Sequence, residues 1–223
     1  MTPHEFWQEI HAPDSFDVDG PHSTFYPAVF EDGRQLQLPI RPFADGQHAL
    51  ASLIINQASF AVVEALAKEL ARKLESCNVD VVVGLPTLGL TLASEVARHL
   101  GHSRYVPLGT SRKFWYLDDL SVPMSSITTQ QPKRLYIDPR MLPLLQGKRV
   151  ALVDDVISSG ASIIAGLSLL SASGIEPVVI GAAMLQSDRW RESLSAVSAK
   201  WPDRIRGVFA TPLLKHAGDG WLA

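Results

Sequence analysis

One segment of the sequence, residues 150–163 (VALVDDVISSGASI), constrains the fold more than any other. An apolar run typical of a buried strand leads into two adjacent carboxylates, Asp154 and Asp155, and a loop of small residues then leads into a helix. Adjacent residues within a strand point to opposite faces of a sheet, so we expect both acids at the carboxyl end of the strand, where the chain turns. Open α/β sheets bind ligands at that edge, and the segment therefore predicts a site there.

Strand and helix patterns alternate around this segment, from residue 79 to residue 184. VDVVVGLP and EPVVIGAAML are apolar runs typical of buried strands. TLASEVARHL and SIIAGLSLLSAS have helical patterns that end near Gly101 and Gly174. The alternation predicts an α/β fold, a parallel sheet flanked by helices and joined by right-handed crossovers.

Other patterns occupy the two ends of the chain. FYPAVF and QLQLPI, separated by the turn signal EDGR, predict a hairpin whose prolines, Pro27 and Pro39, confine both strands to sheet edges. A polar helix is expected over residues 188–200, and RGVFATPLL follows it as a strand. Residues 48–74 predict a helix in one or two pieces, with an apolar stripe made of Phe60, Val63, Leu66, Leu70 and Leu74.

The composition excludes several classes of protein. Of the 223 residues, 46% are hydrophobic and 19% are charged, which excludes disorder over most of the chain. The single cysteine, Cys77, can form neither an internal disulfide nor a multi-cysteine zinc site. The sequence has no apolar stretch of about 18 residues and no signal-peptide pattern, so a soluble cytoplasmic protein is expected.

Charge is distributed unevenly along the chain. The net charge is −3, which gives no general reason to expect nucleic acid or a membrane as a partner. Residues 103–149 hold eight Lys and Arg against three Asp, a local excess of +5, so the remainder carries −8. This basic segment suits a phosphate-rich small ligand, although a solvated loop face is the simpler explanation.

The loop after the two acids predicts a phosphate site. Residues 158–162 offer backbone N–H groups and hydroxyls at a helix N-terminus, where the helix dipole favours anions, and Gly160 permits a positive φ. Carboxylates for sugar hydroxyls beside amides for a phosphate indicate a phosphorylated sugar as the ligand. Two alternatives stay open, a Mg²⁺ site of the receiver-domain kind and serines that only cap the helix. A nucleotide P-loop is excluded, because G-x-x-x-x-G-K-[ST] does not occur.

VALVDDVISSGAS resembles the signature of the type I phosphoribosyltransferases, which joins an apolar run, two acids and a phosphate loop of small residues. VDVVVGLPTLG is similar to the pyrophosphate-binding loop of that family, and the excursion that begins GTSRKFWY and ends SSITTQ is similar to its mobile catalytic loop. The resemblance covers residues 48–184. It is nearest to the purine enzymes of the xanthine and adenine type, which carry a dipeptide like Asn56-Gln57 before the first core strand.

This resemblance implies a role for each part of the site. Asp154 and Asp155 would bind the ribose hydroxyls of phosphoribosyl pyrophosphate and offset positive charge on the sugar, and Arg112 and Lys113 would fold over the departing pyrophosphate. Mg²⁺ is the implied cofactor, bound through the substrate, with the two acids as candidate contacts and no direct side-chain ligand assigned. The 5′-phosphate would contact Ile157, Ser158, Ser159, Gly160, Ala161 and Ser162, and the pyrophosphate would face Leu85, Pro86, Thr87, Leu88 and Gly89.

The sequence departs from the family pattern in two places. The turn at residues 85–88 carries no charge, whereas some relatives place Lys or Arg there, so backbone amides and Thr87 would have to bind pyrophosphate. The small lobe that recognises the base, called the hood, cannot be aligned. The base is therefore expected to be a purine only from the subfamily resemblance.

The whole chain is interpreted as one domain, residues 1–223, with a core at about 48–184 and a hood formed by about 1–47 and 185–223. The predicted function is Mg²⁺-dependent transfer of phosphoribose to a nucleobase, as in purine salvage, by a homodimer that binds neither nucleic acid nor membrane. Two alternatives remain. One is a regulatory protein that binds phosphoribosyl pyrophosphate without catalysis, and the other is a different α/β enzyme that binds a phosphorylated sugar.

Overall fold

The described part of the chain, residues 2–124 and 133–223 of a computed structural model, contains twelve β-strands and four α-helices. In chain order the strands are β1 (Phe25–Val29), β2 (Gln35–Pro42), β3 (His48–Ala51), β4 (Val81–Gly84), β5 (Val106–Pro107), β6 (Ser121–Met124), β7 (Lys133–Tyr136), β8 (Val150–Ile157), β9 (Val179–Gln186), β10 (Ile205–Thr211), β11 (Leu213–Ala217) and β12 (Gly220–Leu222). The helices are α1 (Phe60–Leu74), α2 (Gly89–His99), α3 (Ala161–Ala172) and α4 (Arg189–Val197). None of these helices is both long enough and apolar enough to span a membrane.

Five parallel strands, in the order β10-β9-β8-β4-β5, form the central sheet. Alternate residues of β8 pack on opposite faces, as the pleat of a strand requires. Ala151 and Val153 lie in one apolar cluster with α1 and α2, whereas Val150 and Leu152 lie in another with α3 and α4. Helices cover both faces, which explains the nearly continuous apolar sequence of β8 and β9. The predicted α/β class is confirmed.

A second sheet is antiparallel and has the strand order β1-β2-β3-β11-β12; we call it the hood sheet. Its third strand, β3, lies where the sequence predicted the start of a helix over residues 48–74. That prediction is wrong because Ala49 and Ala51 are buried in alternation while β3 bonds to β2 and β11. Strand β10, expected in the hood, pairs instead with β9 in the central sheet. The hood sheet therefore includes β3, which lies after residue 47, and the central sheet includes β10, which lies after residue 184.

Pro39 lies in an interior strand of the hood sheet, whereas Pro27 lies in the edge strand β1, as expected. The N–H of Ser52 donates to the Pro39 carbonyl at 3.0 Å. In such an antiparallel pair the N–H of residue 39 would normally donate to the Ser52 carbonyl, but proline has no N–H. The indole N–H of Trp7 donates to the Ser52 carbonyl instead, at 2.9 Å. The predicted edge position of Pro39 is wrong because an N-terminal aromatic residue supplies the missing donor.

Helix α1 begins after Ser59, whose Oγ accepts the N–H of Val62 at 3.2 Å and so caps the helix. Phe60, the first helical residue, is 94% exposed, so its predicted place in the buried apolar stripe is wrong. Asn56-Gln57 lies in a short 3₁₀ turn before the helix. The remaining members of the stripe are buried as expected, namely Val63, Leu66, Leu70 and Leu74.

The described part of the excursion after β5 contains two strands, β6 and β7, and not only loop. Gly109 exchanges two backbone hydrogen bonds with Tyr136, at 2.8 and 3.0 Å. Strands β6 and β7 pair antiparallel and pack on α3. The indole N–H of Trp115 donates to Asp138 at 3.2 Å, which anchors the start of the excursion. The predicted SSITTQ end lies within residues 125–132, outside the described residues.

Candidate functional site

Asp154 and Asp155 lie inside strand β8 rather than after it, which corrects the expectation that the chain turns at the acids. The strand continues past them because β9 runs beside it to the same length. On the other side, β4 ends at Gly84, opposite Val153. The acids therefore have a strand on one side and the turn after β4 on the other.

The turn after β4, residues 85–89, lies directly against the acids; we call it the pyrophosphate turn. The N–H of Leu85 donates to the Val153 carbonyl at 2.9 Å and extends the sheet by one bond. A Cβ atom on Gly89 would lie 2.5 Å from Oδ1 of Asp154 and 2.8 Å from its Cα, so only glycine permits this approach. Two segments distant in sequence thus form one continuous surface.

Backbone groups and one hydroxyl are what the pyrophosphate turn can offer a ligand. The side chain of Leu85 is fully buried, and that of Leu88 packs on the core, so both serve the fold. Thr87 is exposed, and the peptide bond between Pro86 and Thr87 is cis. Helix α2 begins at Gly89, and its first amide groups, which have no partner within the helix, lie at this turn.

Both acids are buried without a compensating cation; Asp154 is 6% exposed and Asp155 is 9% exposed. Burial raises the pKa of Asp154 well above its ordinary value, and the charge of Asp155 raises it further. Burial likewise raises the pKa of Asp155. Oδ1 of Asp154 accepts the backbone N–H of Asp155 at 3.0 Å, and neither acid forms an ion pair within the described residues. The pair therefore favours a bound proton. Hydroxyl groups that donate hydrogen bonds, or a cation, could take the place of that proton.

The phosphate loop, residues 158–162, comprises the turn between β8 and α3 and the first two residues of α3. Gly160 has a φ of +83° and precedes the first helical residue, as its predicted role requires. Residues 156–163 line a cavity of about 90 Å³, a size that suits a small anion. The first amide groups of an α-helix have no partner within the helix and favour negative charge. The loop therefore has the geometry of a phosphate site.

Arg112 and Lys113 are exposed, and their described contacts are local. Arg112 forms an ion pair with Asp118 at 3.0 Å, and the Lys113 carbonyl accepts the N–H of Tyr116 at 3.0 Å. Over residues 2–124 and 133–223, no hydrogen bond or ion pair joins either cation to the acids, the phosphate loop or the pyrophosphate turn. Their catalytic role stays a prediction that requires this segment to move.

Two polar residues at the same edge were missed by sequence reasoning. Gln186, the last residue of β9, is buried, and its Nε2 donates to the Ala51 carbonyl of the hood sheet at 2.6 Å. Arg189, the first residue of α4, donates from Nη2 to Oγ of Ser158 at 3.1 Å. The one available signal was that both lie at or just after the carboxyl end of a predicted parallel strand, and the carboxyl ends of such strands share one edge.

Comparisons with known proteins match most of this chain to one family. A family model described as phosphoribosyl transferase domain matches residues 50–203. A hypoxanthine/guanine phosphoribosyltransferase of Methanococcus voltae is 26% identical over 149 residues, which cover 67% of this chain and 71% of that protein. A xanthine phosphoribosyltransferase of an Exiguobacterium species is 25% identical over 163 residues, which cover 71% of this chain and 78% of that protein.

A solved structure shares the fold. The APRTase from Giardia lamblia, complexed with 9-deazaadenine, matches with a TM-score of 0.56 and 21% identity, over 68% of this chain and 80% of that one. The chain spans less than two thirds of the length of other relatives described as hypoxanthine/guanine phosphoribosyltransferases.

Replacing Asp154 with Asn should stabilise the protein without ligand at neutral pH. The folded chain favours a protonated carboxyl at this position, whereas the unfolded chain releases that proton above about pH 4. The free energy of unfolding of the wild type therefore falls as pH rises above 4, and the variant has no such proton to lose. We expect a Tm raised by a few degrees at about pH 7.5, since 1 kcal/mol is about 2–4 °C for this size, and a difference that shrinks toward pH 4.

The control for this variant is Asp219→Asn, which removes one negative charge from the exposed turn between β11 and β12. Its Tm should stay close to that of the wild type at both pH values. A Tm of Asp154→Asn at or below the wild-type value near pH 7.5 would contradict an uncompensated buried acid.

Gly89→Ala should push the pyrophosphate turn away from β8. The added carbon would overlap the backbone of Asp154 as well as its carboxylate, and backbone cannot move aside as a flexible side chain can. Overpacking of this kind costs about 1–3 kcal/mol, measured by urea unfolding. Gly109→Ala is the matched control, because a Cβ there meets nothing within 4 Å. Equal losses in the two variants would refute the close contact.

Proposed function

The chain belongs to the phosphoribosyl transferase family, and from this premise we propose that it transfers phosphoribose from phosphoribosyl pyrophosphate to a nucleobase. The observation that carries the proposal is the position of the acid pair. It lies between the phosphate loop, which follows it along the chain, and the pyrophosphate turn, which touches it through Gly89. A ribose with a phosphate at one end and pyrophosphate at the other presents its groups in this order.

Each part of the substrate would find a matching group. The phosphate loop would bind the 5′-phosphate in its cavity of about 90 Å³, and the pyrophosphate turn would present Thr87 and the first amides of α2 to the pyrophosphate. Asp154 and Asp155 would accept hydrogen bonds from the ribose 2′- and 3′-hydroxyls. Hydrogen bonds to the ionised form lower the pKa of a carboxylate, so substrate binding would release the proton that burial favours.

The ionised acid pair would then act on the reaction itself. A nucleobase nitrogen forms a bond to C1 of the ribose as the bond from C1 to the pyrophosphate oxygen breaks, and the leaving group keeps the electron pair. The base gives up one N–H proton in the same reaction, to solvent or to the departing pyrophosphate. Positive charge grows on the sugar ring, next to carboxylates whose burial strengthens their field. Closure of the segment that carries Arg112 and Lys113 would exclude water from the reacting sugar.

The acid pair also fits Mg²⁺ as a cofactor shared with the substrate. Within the described residues, no group of three or more His, Cys, Asp or Glu side chains could hold a metal ion. Mg²⁺ commonly has one or two carboxylates, substrate phosphates and waters as ligands, so Asp154 and Asp155 would be sufficient protein contacts. When bound, the ion would neutralise negative charge on the pyrophosphate.

A purine is the base we propose. The support is similarity to proteins described as hypoxanthine/guanine and xanthine phosphoribosyltransferases. The hood sheet is the candidate recognition element, since the bond from Gln186 to Ala51 holds its β3 strand at the carboxyl edge of the central sheet. Assembly as a homodimer and a cytoplasmic location stay predictions from the sequence.

A regulator that binds phosphoribosyl pyrophosphate without turnover is the second candidate. It is favoured by the uncharged pyrophosphate turn. It is also favoured because, among the described residues, neither Arg112 nor Lys113 bonds to the acids or to that turn, whereas catalysis needs a cation near the leaving group. We prefer the enzyme because both cations begin an excursion that leaves the same edge of the sheet, directly after β5.

A panel of nucleobases tests the proposal. Hypoxanthine, guanine, xanthine, adenine, orotate and uracil are each incubated with phosphoribosyl pyrophosphate and Mg²⁺, and pyrophosphate release is followed. We expect release with at least one purine and none with the double variant Asp154→Asn, Asp155→Asn. Faster release with orotate or uracil would overturn the purine assignment. Calorimetric binding of phosphoribosyl pyrophosphate with no release from any base would favour the regulator.

Lys113→Ala should reduce kcat at least about 100-fold with little change in the affinity for phosphoribosyl pyrophosphate. A cation that meets charge only as it develops lowers the barrier selectively, and one such partner contributes roughly 10²–10³ in rate. Lys148→Ala is the control, because Lys148 precedes β8 at the opposite edge of the sheet. Turnover within a few-fold of wild type would exclude Lys113, and Arg112→Ala then tests the neighbouring cation.

A further inference from the structure

Arg189 reaches the phosphate loop from a separate element. Its Nη2 donates to Oγ of Ser158 at 3.1 Å, and its Nε lies 3.4 Å from Oγ of Ser187. Ser158 is the first residue of the phosphate loop, whereas Arg189 opens α4 after the next strand. A guanidinium group has five N–H donors in a rigid fork, so donors remain after these two contacts.

Arg189 differs from most arginines of this protein in having no acidic partner among residues 2–124 and 133–223. Its two side-chain hydrogen bonds are to serine hydroxyls. The nearest carboxylate in sequence, Asp188, instead pairs with Arg191 at 3.0 Å. Ion pairs with Asp or Glu occupy other arginines, namely Arg34, Arg72, Arg98, Arg112, Arg140 and Arg204. The charge of Arg189 is thus available to a ligand.

The position of Arg189 is set by packing and not by helix electrostatics. A cation in the first turn of a helix gains nothing from the helix dipole, which favours anions there. The neighbouring Trp190 is 2% exposed, and its Cα and Cβ lie 3.6 Å from where a Cβ on Gly160 would be. The first turn of α4 therefore rests on the phosphate loop, and this contact places the guanidinium beside Ser158.

The phosphate loop itself supplies no charge. Residues 156–163 comprise apolar residues, serines and one glycine, so a phosphate bound there would meet only amides and hydroxyls. A phosphate monoester carries close to two negative charges at pH 7, and the arginine fork binds such oxygens in pairs. The loop lacks a positive charge, and Arg189, which contacts the loop at Ser158, carries one.

We infer that Arg189 is a further substrate-binding residue, whose guanidinium binds the 5′-phosphate of the sugar together with the phosphate loop. This inference rests on the proposed function, because it assigns a residue to the same substrate. On binding, the phosphate oxygens replace the serine hydroxyls as acceptors of the guanidinium. Ser158, freed from Arg189, then donates its own hydroxyl to the same phosphate.

Calorimetry with two fragments of the substrate tests this assignment. Ribose 5-phosphate carries the phosphate in question, and inorganic pyrophosphate does not; both are titrated into the full chain in the presence of Mg²⁺. We expect Arg189→Ala to weaken ribose 5-phosphate about 10- to 100-fold, the usual range for a charged hydrogen bond, and to leave pyrophosphate within about threefold. Arg189→Lys should fall between wild type and Arg189→Ala, because it keeps the charge and loses the fork.

Lys148→Ala is the control, because it removes one positive charge from the opposite edge of the central sheet and should leave ribose 5-phosphate affinity nearly unchanged. Thermal unfolding of each variant checks the fold, and Arg189, which is exposed, is replaced without a cavity. Unchanged ribose 5-phosphate affinity in Arg189→Ala would overturn the inference alone, as would equal weakening of pyrophosphate. A wild-type protein that binds neither phosphoribosyl pyrophosphate nor ribose 5-phosphate would overturn the proposed function as well.

Discussion

The site depends on the burial of two adjacent carboxylates in the central strand of a parallel sheet. Burying an acid without a partner is costly, and the pKa of each acid rises in response. The apolar contacts that cover both faces of β8 stabilise the strand that carries them. Because β4 ends at Gly84 and Gly89 has no side chain, the pyrophosphate turn closes against Asp154. The buried acids therefore lower the stability of the fold without ligand, and a ligand that donates hydrogen bonds to them would offset that cost.

The elements next to the acids are neutral, and the positive charges come from more distant segments. The pyrophosphate turn and the phosphate loop offer amides, hydroxyls and helix N-termini. Arg189 is supplied by α4, and Arg112 and Lys113 by the excursion after β5. The neutral loop and turn would orient the substrate, while cations on separate elements could approach its phosphate groups, including the negative charge that develops on the leaving pyrophosphate.

The two sheets are joined at the edge where the site lies. Gln186 ends a core strand and bonds to Ala51, and Trp7 donates to Ser52 in the place that Pro39 leaves empty. Both bonds use side chains to satisfy backbone carbonyls, because an unpaired carbonyl in the interior costs about as much as a lost hydrogen bond. The hood sheet therefore shares no continuous backbone ladder with the central sheet. An apolar cluster common to both sheets joins them, together with the polar contacts near β3.

Local sequence determined much of this protein. Apolar runs of the right length predicted the parallel strands, and Gly101 and Gly174 predicted the ends of two helices. Gly160 predicted a positive φ, and the acid pair with its small-residue loop predicted where a candidate site lies. These features depend on neighbours in the chain, so a single sequence reveals them. Tertiary structure alone decided that β3 is a strand, that β10 joins the core, that Gly89 touches Asp154 and that Arg189 reaches Ser158. Each of these depends on which distant segments become neighbours in the folded chain, and a local pattern of hydrophobicity does not specify that pairing.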